Sequence, residues 1–312
     1  MWLINTSTLQ LEEFIGQNIP KYAILSHTWE DEEVSFKAFN NGTGKKLKGY
    51  EKIEMTCTIA AQVGLSYAWV DTCCIDKSSS AELTEAINSM FRWYYRAEVC
   101  YAFLADLPAD APLQTAMPKC KWFSRGWTLQ ETLAPRSLYL FNQSWIYVGS
   151  KQELLKPLSA ITGIDASVLA GARHLSSVAV AQRMSWAAHR QTTRVEDMAY
   201  CLLGIFGINM PMLYGEEEKA FQRLQEELIK STSDLSIFAW TRPAMAEIPK
   251  EPPTRRYCGI LAKSPAEFSG CGAFRLLSTD VSEFSVSNKG VKVFASFLLI
   301  VVPRRAKSSE SN

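Results

Sequence analysis

The sequence predicts an α/β fold: a parallel sheet covered by helices, followed by a helical extension and a small β-rich C-terminal part. Strand and helix patterns alternate through roughly the first hundred residues, as they do where a parallel sheet is wound with crossover helices. The strand runs are short and apolar throughout, and each ends in a polar lip. Past residue 150 the apolar spacing becomes helical, and near the C-terminus it shortens again to strand-like runs.

Tyr22 to Ser26 is apolar and leaves through Glu30-Asp31-Glu32-Glu33, so it reads as a central strand. Ligands of such sheets bind beyond the carboxyl ends of the strands. From Lys48 to Val63, Ile53, Cys57, Ile59, Ala60 and Val63 recur at helical spacing, with Gly64 where a helix C-cap is expected. Leu65 to Val70 is a second strand running into Asp71, the turn residue Asp76 and the lip Lys77-Ser78-Ser79-Ser80. Ser80 is placed to cap a helix whose inward face carries Leu83, Ile87, Met90 and Tyr94, with Glu82 and Glu85 near the positive end of its dipole. Val99 to Leu104 is a third strand. A helix over Thr128 to Leu133 closes before Pro135, and Ser137 to Phe141 is a fourth strand.

The extension is expected to hold helices over Val178–His189, Val195–Phe206 and Glu216–Ile229. In the C-terminal part, Cys258–Leu261 and Ala273–Leu277 read as strands, and Phe284–Val286 with Val291–Phe297 as a hairpin around Asn288-Lys289-Gly290. Pro249–Arg256 is the linker candidate, and the polar tail Arg304–Asn312 is expected to be disordered. The expected division is a core over 1–150, an extension over 151–240, a β-rich segment over 241–303 and a tail over 304–312.

The 312 residues carry 33 Lys and Arg against 32 Asp and Glu, a formal charge of +1, too weak a field for a nucleic-acid partner. With 47% hydrophobic residues the chain can bury a sizeable core. Its eight cysteines form no CxxC pair and only three histidines are present, so no metal site is expected and the thiols read as buried and free. Cys73 and Cys74 are expected to point to opposite faces of a strand. The N-terminus lacks a basic segment followed by an apolar one, which predicts a reducing, cytoplasmic setting. The longest apolar run, Val293–Val302, is too short to span a bilayer. No Walker loop, GxGxxG, HExxH or EF-hand spacing occurs, and Gly42-Thr43-Gly44-Lys45-Lys46 lacks the spacing of a phosphate loop.

Three blocks carry a family resemblance: Tyr22-Ala23-Ile24-Leu25-Ser26-His27-Thr28-Trp29, Ala68-Trp69-Val70-Asp71-Thr72-Cys73-Cys74-Ile75-Asp76-Lys77, and Arg125-Gly126-Trp127-Thr128-Leu129-Gln130-Glu131-Thr132-Leu133-Ala134-Pro135-Arg136. In this order they resemble the heterokaryon incompatibility (HET) domain of filamentous fungi. Glu196–Tyr200 and Met210–Glu216 resemble the segment that follows that domain, which extends the similarity to about residue 240. The resemblance implies an effector of non-self recognition and regulated cell death, acting through self-association or a regulatory protein partner. It also implies a more distant similarity to TIR domains, which are flavodoxin-like and in some lineages cleave NAD at the nicotinamide glycosidic bond. There a Trp stands four residues before a catalytic Glu at a helix start, and Trp127 and Glu131 have that spacing, with apolar Leu129 between them.

Cleavage of that bond leaves an oxocarbenium-like ribose, which one carboxylate can stabilise, and Glu131 is the candidate. Its other reading is an ion pair on its helix with Arg125 or Arg136. Ser26, His27 and Trp29 follow the first strand, where a hydroxyl can meet phosphate and an indole can stack on a base; as plain structure they are a packed Trp and a His satisfied by a carbonyl. Asp71 can hold ribose hydroxyls, Asp76 caps its turn, and Arg125 and Trp127 complete the candidate nucleotide site. A Ser26-His27-Asp71 hydrolase is disfavoured, since neighbouring residues of a strand face opposite ways and no GxSxG elbow is present. No cofactor is expected, NAD being a candidate substrate. Two other classes stay open: a non-enzymatic assembly module recruiting partners through the helices of residues 178–229, and a HET-like scaffold reused on another small molecule of secondary metabolism. Residues 235–303 are a candidate brake on either activity.

Overall fold

The computed structural model describes residues 1–16, 18–241, 259–275, 283–287 and 290–294. A seven-stranded sheet organises them: β1 (Trp2–Asn5), β2 (Leu11–Glu13), β3 (Ala23–His27), β4 (Tyr67–Trp69), β5 (Val99–Phe103), β6 (Leu138–Phe141) and β7 (Tyr147–Ser150), in the spatial order β2-β1-β4-β3-β5-β6-β7. The four inner strands β4, β3, β5 and β6 are parallel, in register Ala23↔Ala68, Ser26↔Ala102 and Ala102↔Leu140. Each edge is closed by antiparallel pairing, β1 on β4 and β7 on β6. Every residue of β3 and β5 is buried, as expected of parallel strands covered on both faces.

Helix α1 (Tyr50–Gln62) buries Ile53, Cys57 and Ala60, and Gly64 follows it in the left-handed conformation at φ +78. Helix α2 (Ser80–Arg96) turns Ile87, Met90 and Tyr94 inward. Its cap is Ser79, one residue before the expected Ser80: the Ser79 side chain accepts from Glu82 N at 3.3 Å, while Glu82 Oε1 accepts from Asp76 N. Tyr22 and Tyr94 fasten β3 to this helix, the first donating to Trp93 O (2.6 Å) and the second to Leu25 O (2.8 Å). The indole of Trp69, fully buried, meets Trp93 and Tyr94 edge-on. Cys73 and Cys74 lie on the turn after β4 rather than on a strand; both of their amides bond to Val70 O, so both thiols turn inward. The seven described cysteines are buried and free.

Short helix α3 (Thr128–Leu133) precedes β6 and is buried from Thr128 to Thr132. In the extension, the predicted helix over Val178–His189 is only α4 (Val180–Ser185), because Gln191 leaves the helical path to pair its backbone with Ser124 and Gly126. Val195–Phe206 is likewise two separate turns, Asp197–Tyr200 and α5 (Leu203–Phe206), whereas α6 (Lys219–Ser231) matches the third predicted helix closely. Asn88 of α2 ties the extension to the core by exchanging hydrogen bonds with both backbone groups of Met210.

The C-terminal hairpin forms, β8 (Glu283–Ser287) on β9 (Gly290–Phe294). The strands expected at Cys258–Leu261 and Ala273–Leu277 do not: the described residues there, 259–261 and 273–275, are irregular and flank a 3-10 helix, Pro265–Cys271. That helix packs on α4, and the backbone of Ala262 pairs with the Gln225 side chain in both directions. The expected linker Pro249–Arg256 and the tail Arg304–Asn312 lie outside the described residues. No described helix is long and apolar enough to cross a membrane.

Gly204 of α5 brings the extension against α2 so closely that a Cβ there would lie 2.0 Å from Phe91 Cβ. Gly204→Ala should therefore lower stability by about 1–3 kcal/mol, read as a fall in the urea midpoint at unchanged m-value. An unchanged midpoint would mean that the two helices do not pack in this way.

Candidate functional site

The carboxyl ends of the parallel strands open into a cleft of about 290 Å³. Three walls enclose it: His27, Trp29, Asp71 and Lys77 from the ends of β3 and β4; Leu83, Ile87 and Met90 from α2; and Arg125, Trp127, Thr193, Arg194, Asp197 and Tyr214. Glu131 belongs to the same lining, projecting from the first turn of α3.

Glu131 is 7% exposed. The indole Nε1 of Trp122, a fully buried residue, donates to Ser26 Oγ at 2.8 Å, and an indole nitrogen can only donate. Ser26 Oγ in turn donates to Glu131 Oε2, 2.5 Å away. Burial pushes this carboxyl up to about 8, and the charge of Asp71 adds to the effect; the Ser26 hydrogen bond and the Arg125 charge only partly oppose it. Neither expected arginine pairs with it. Arg125 Nη1 donates to Thr193 Oγ1 and Arg136 Nη2 to Tyr95 Oη, leaving Glu131 without an ion pair among the described residues.

Asp71 is the second carboxylate of the cleft and behaves oppositely. Burial works to raise it, but His27, Lys77 and Trp29 together outweigh burial and hold it below its ordinary value. His27 Nε2 lies 3.0 Å from Oδ1 and Trp29 Nε1 donates to Oδ2 at 2.8 Å. An ionised Asp71 only accepts, which assigns a hydrogen to His27 Nε2. Ser26 and His27 thus face opposite ways into different partnerships, and no Ser-His-Asp triad forms.

On the far wall, Asp197 accepts from Tyr214 Oη (3.0 Å) and Trp127 Nε1 (3.4 Å), and the Arg194 guanidinium lies over the Tyr214 ring. The loop bearing Tyr214 is held by Glu196, which accepts from the amides of Gly215 and Glu217. Gly126 lets this wall approach: its amide donates to Gln191 O at 2.8 Å, and a Cβ there would meet Thr192 at 2.5 Å. Two buried cations then bracket α3. Lys151 Nζ donates to Thr132 O and Pro135 O at the C-terminal end, while Arg190 donates to Arg125 O and Thr128 Oγ1 at the N-terminal end. Burial lowers them to about 8 and about 10 respectively.

Of the residues singled out in the sequence, His27, Trp29, Asp71, Arg125, Trp127 and Glu131 line the cleft, and Ser26 supports Glu131 from beneath. Sequence reasoning missed Lys77 as a lining residue, although it ends the second block, and missed Trp122, Arg190, Thr193, Arg194, Asp197 and Tyr214. For Asp197 and Tyr214 the signal was present, since both belong to the segments that resemble the region after the HET domain.

A family model described as "Heterokaryon incompatibility protein (HET)" matches residues 22–116, and one described as "Domain of unknown function (DUF8212)" matches residues 219–298. The chain is 46% identical over 235 residues to Vegetative incompatibility protein HET-E-1 of Podospora anserina, an overlap of 72% of this chain and 17% of that protein. It therefore spans well under a quarter of the length of the curated relative it matches. No solved structure matches it.

Folded Glu131 keeps its proton to about pH 8, whereas an unperturbed glutamate loses it near 4.5. Between these values the folded chain holds one proton more than the unfolded chain, so this group's stabilisation fades as pH rises. Glu131→Gln should remove that slope and gain on the order of a few kcal/mol over wild type across the window, read from denaturant unfolding at successive pH values. Parallel profiles for the two proteins would place an ionised Glu131 in the fold.

Proposed function

This chain carries a heterokaryon incompatibility (HET) domain, and on that premise we propose that it is an effector of fungal non-self recognition and regulated cell death. We further propose that it acts by cleaving NAD or a related nucleotide in the cleft. The observation that supports this best is Glu131: a buried carboxyl without an ion pair, oriented by Ser26 and Trp122 at the meeting point of the cleft walls. A structural glutamate on a buried helix is ordinarily paired or capping; one left neutral and unpaired beside an ionised Asp71 is placed for chemistry. The strand order supports a flavodoxin-like, TIR-like reading of the core. Counted in chain order, the four parallel strands run 2-1-3-4 across the sheet, as in flavodoxin-like folds.

The reaction needs little machinery. The bond between ribose C1′ and the pyridinium nitrogen breaks, and its electron pair stays on that nitrogen, so nicotinamide leaves neutral. The positive charge passes to C1′ and the ring oxygen, where ionised Glu131 stabilises it. Water adds at C1′ and its surplus proton goes to Glu131 or to solvent, giving ADP-ribose, nicotinamide and one proton. A cationic substrate favours loss of the Glu131 proton on binding, because it adds a positive charge to that of Arg125 beside a carboxyl that has no ion pair among the described residues. Trp29 and Trp127 offer ring faces on two walls, and Arg125 and Arg194 offer charge to the phosphates.

The assembly alternative has less surface to draw on. Val180–Met184 of α4 are buried, which leaves mainly the outer side of α6 for recruiting a partner. The described residues of the C-terminal segment lie outside the cleft lining, so as a brake they would have to act on the extension rather than by plugging the site.

Purified protein incubated with NAD should release nicotinamide, and Glu131→Gln should reduce kcat/KM at least about a hundredfold at unchanged fold. In the wild type, kcat/KM should rise with pH through about 8 as Glu131 ionises. Absence of turnover at any protein concentration, with Glu131→Gln still toxic when expressed in a fungus, would assign the effect to assembly. Turnover of another small molecule in place of NAD would assign the cleft to a reused scaffold.

A further inference from the structure

One wall of the cleft already holds a cation against an aromatic face. The Lys77 ammonium sits 3.7 Å from the centroid of the Trp29 ring, and Trp29 is half exposed to the cleft. The edge of that ring is fixed, because Trp29 Nε1 is spent on Asp71 Oδ2, and the other Asp71 oxygen is held by His27. Lys77 itself makes no hydrogen bond or ion pair with any described residue; what holds its ammonium is the ring face and the field of Asp71. Its backbone belongs to a turn secured independently by Asp76, which accepts from Ser78 N and Oγ, and by Glu82, which accepts from Asp76 N. The side chain can therefore swing away while the turn stays in place. A ring face with a rigid carboxylate beside it is how proteins recognise organic cations.

We propose that the Trp29 face and the Asp71 carboxylate form a subsite for a cationic heteroaromatic ring, and that the Lys77 ammonium is its resident occupant, displaced when such a ring binds. This rests on the reading of the cleft as a site for a nucleotide with a cationic leaving group, and it gives that group its place. Lys77 then sets by competition the affinity a ring needs in order to bind, and Trp29 with Asp71 gives the cation that affinity. A neutral ring gains too little from Asp71 to replace the ammonium, whereas a pyridinium replaces one cation by another and adds stacking area. Once displaced, Lys77 remains beside the mouth of the cleft, where its charge can meet the phosphates of the same ligand.

The test is calorimetric binding of 1-methylnicotinamide, a pyridinium and permanent cation, and of neutral nicotinamide to the full chain. Wild type is compared with Lys77→Met, which keeps the stem and removes the charge, and with Trp29→Leu. Lys77→Met should bind both rings about two- to five-fold more tightly than wild type, since the competitor is gone for either, with the cation still bound more tightly than nicotinamide, and Trp29→Leu should lose that preference. Equal or weaker cation binding by Lys77→Met, a gain confined to the cation, which relief of charge repulsion alone would give, or no cation binding by any of the three proteins overturns the proposal. Weaker binding of NAD by Lys77→Met without tighter binding of 1-methylnicotinamide assigns Lys77 to the phosphates alone and overturns it as well. None of these readouts requires turnover, whereas the glycohydrolase reading fails on a different result, NAD cleavage that survives Glu131→Gln.

Discussion

Burying a carboxyl group that has no ion pair among the described residues is the constraint around which this fold is arranged. An isolated carboxylate in a protein interior costs far more than a neutral acid, so Glu131 stays protonated and is held by hydrogen bonds. Those bonds draw three segments together: the end of β3 through Ser26, the Lys121–Ser124 turn through Trp122, and α3 itself. Helix α3 is too short to hold its place by its own backbone, and Lys151 and Arg190 supply partners for carbonyls at its two ends. Arg190 comes from the extension, so the setting of Glu131 depends on residues far beyond the first 116.

The cleft is correspondingly composite. Parallel strands bring His27 and Asp71 to one edge of the sheet, and the extension contributes the opposite wall. The match to the HET family ends at residue 116. Glu131, Arg125, Trp127, Asp197 and Tyr214 all lie beyond it, so a chain cut at that boundary would have half a cleft. Asp71 and Glu131, two of the three carboxyl groups in the cleft lining, differ in ionisation because their partners differ: Asp71 has His27, the Trp29 indole and a nearby ammonium, whereas Glu131 has a hydroxyl.

Much of the core was legible in the sequence, because parallel strands buried on both faces read as unbroken apolar runs. The runs at Tyr22–Ser26 and Val99–Leu104 correspond to β3 and β5, and Pro135 stops α3 where a proline should. The hairpin β1–β2 and the edge strand β7 were not legible, since strands of three or four residues show too little alternation to stand out. The extension was misjudged for a different reason. Helical periodicity continues through Val178–His189, but Arg190 turns inward to reach Arg125 O, a long-range demand that no local pattern reveals. Of the site, the residues close to a motif were visible; Trp122 and Arg190 act on Glu131 only through tertiary contacts and carry no mark in the sequence.

The account turns on Glu131 being a neutral acid that becomes a carboxylate when a cation enters. Difference infrared titration of wild type against Glu131→Gln measures this directly. A protonated carboxyl band at neutral pH should belong to Glu131, vanish with a midpoint near 8, and shift to lower pH when 1-methylnicotinamide is bound. A band that disappears in the ordinary glutamate range, with or without the ligand, would contradict it.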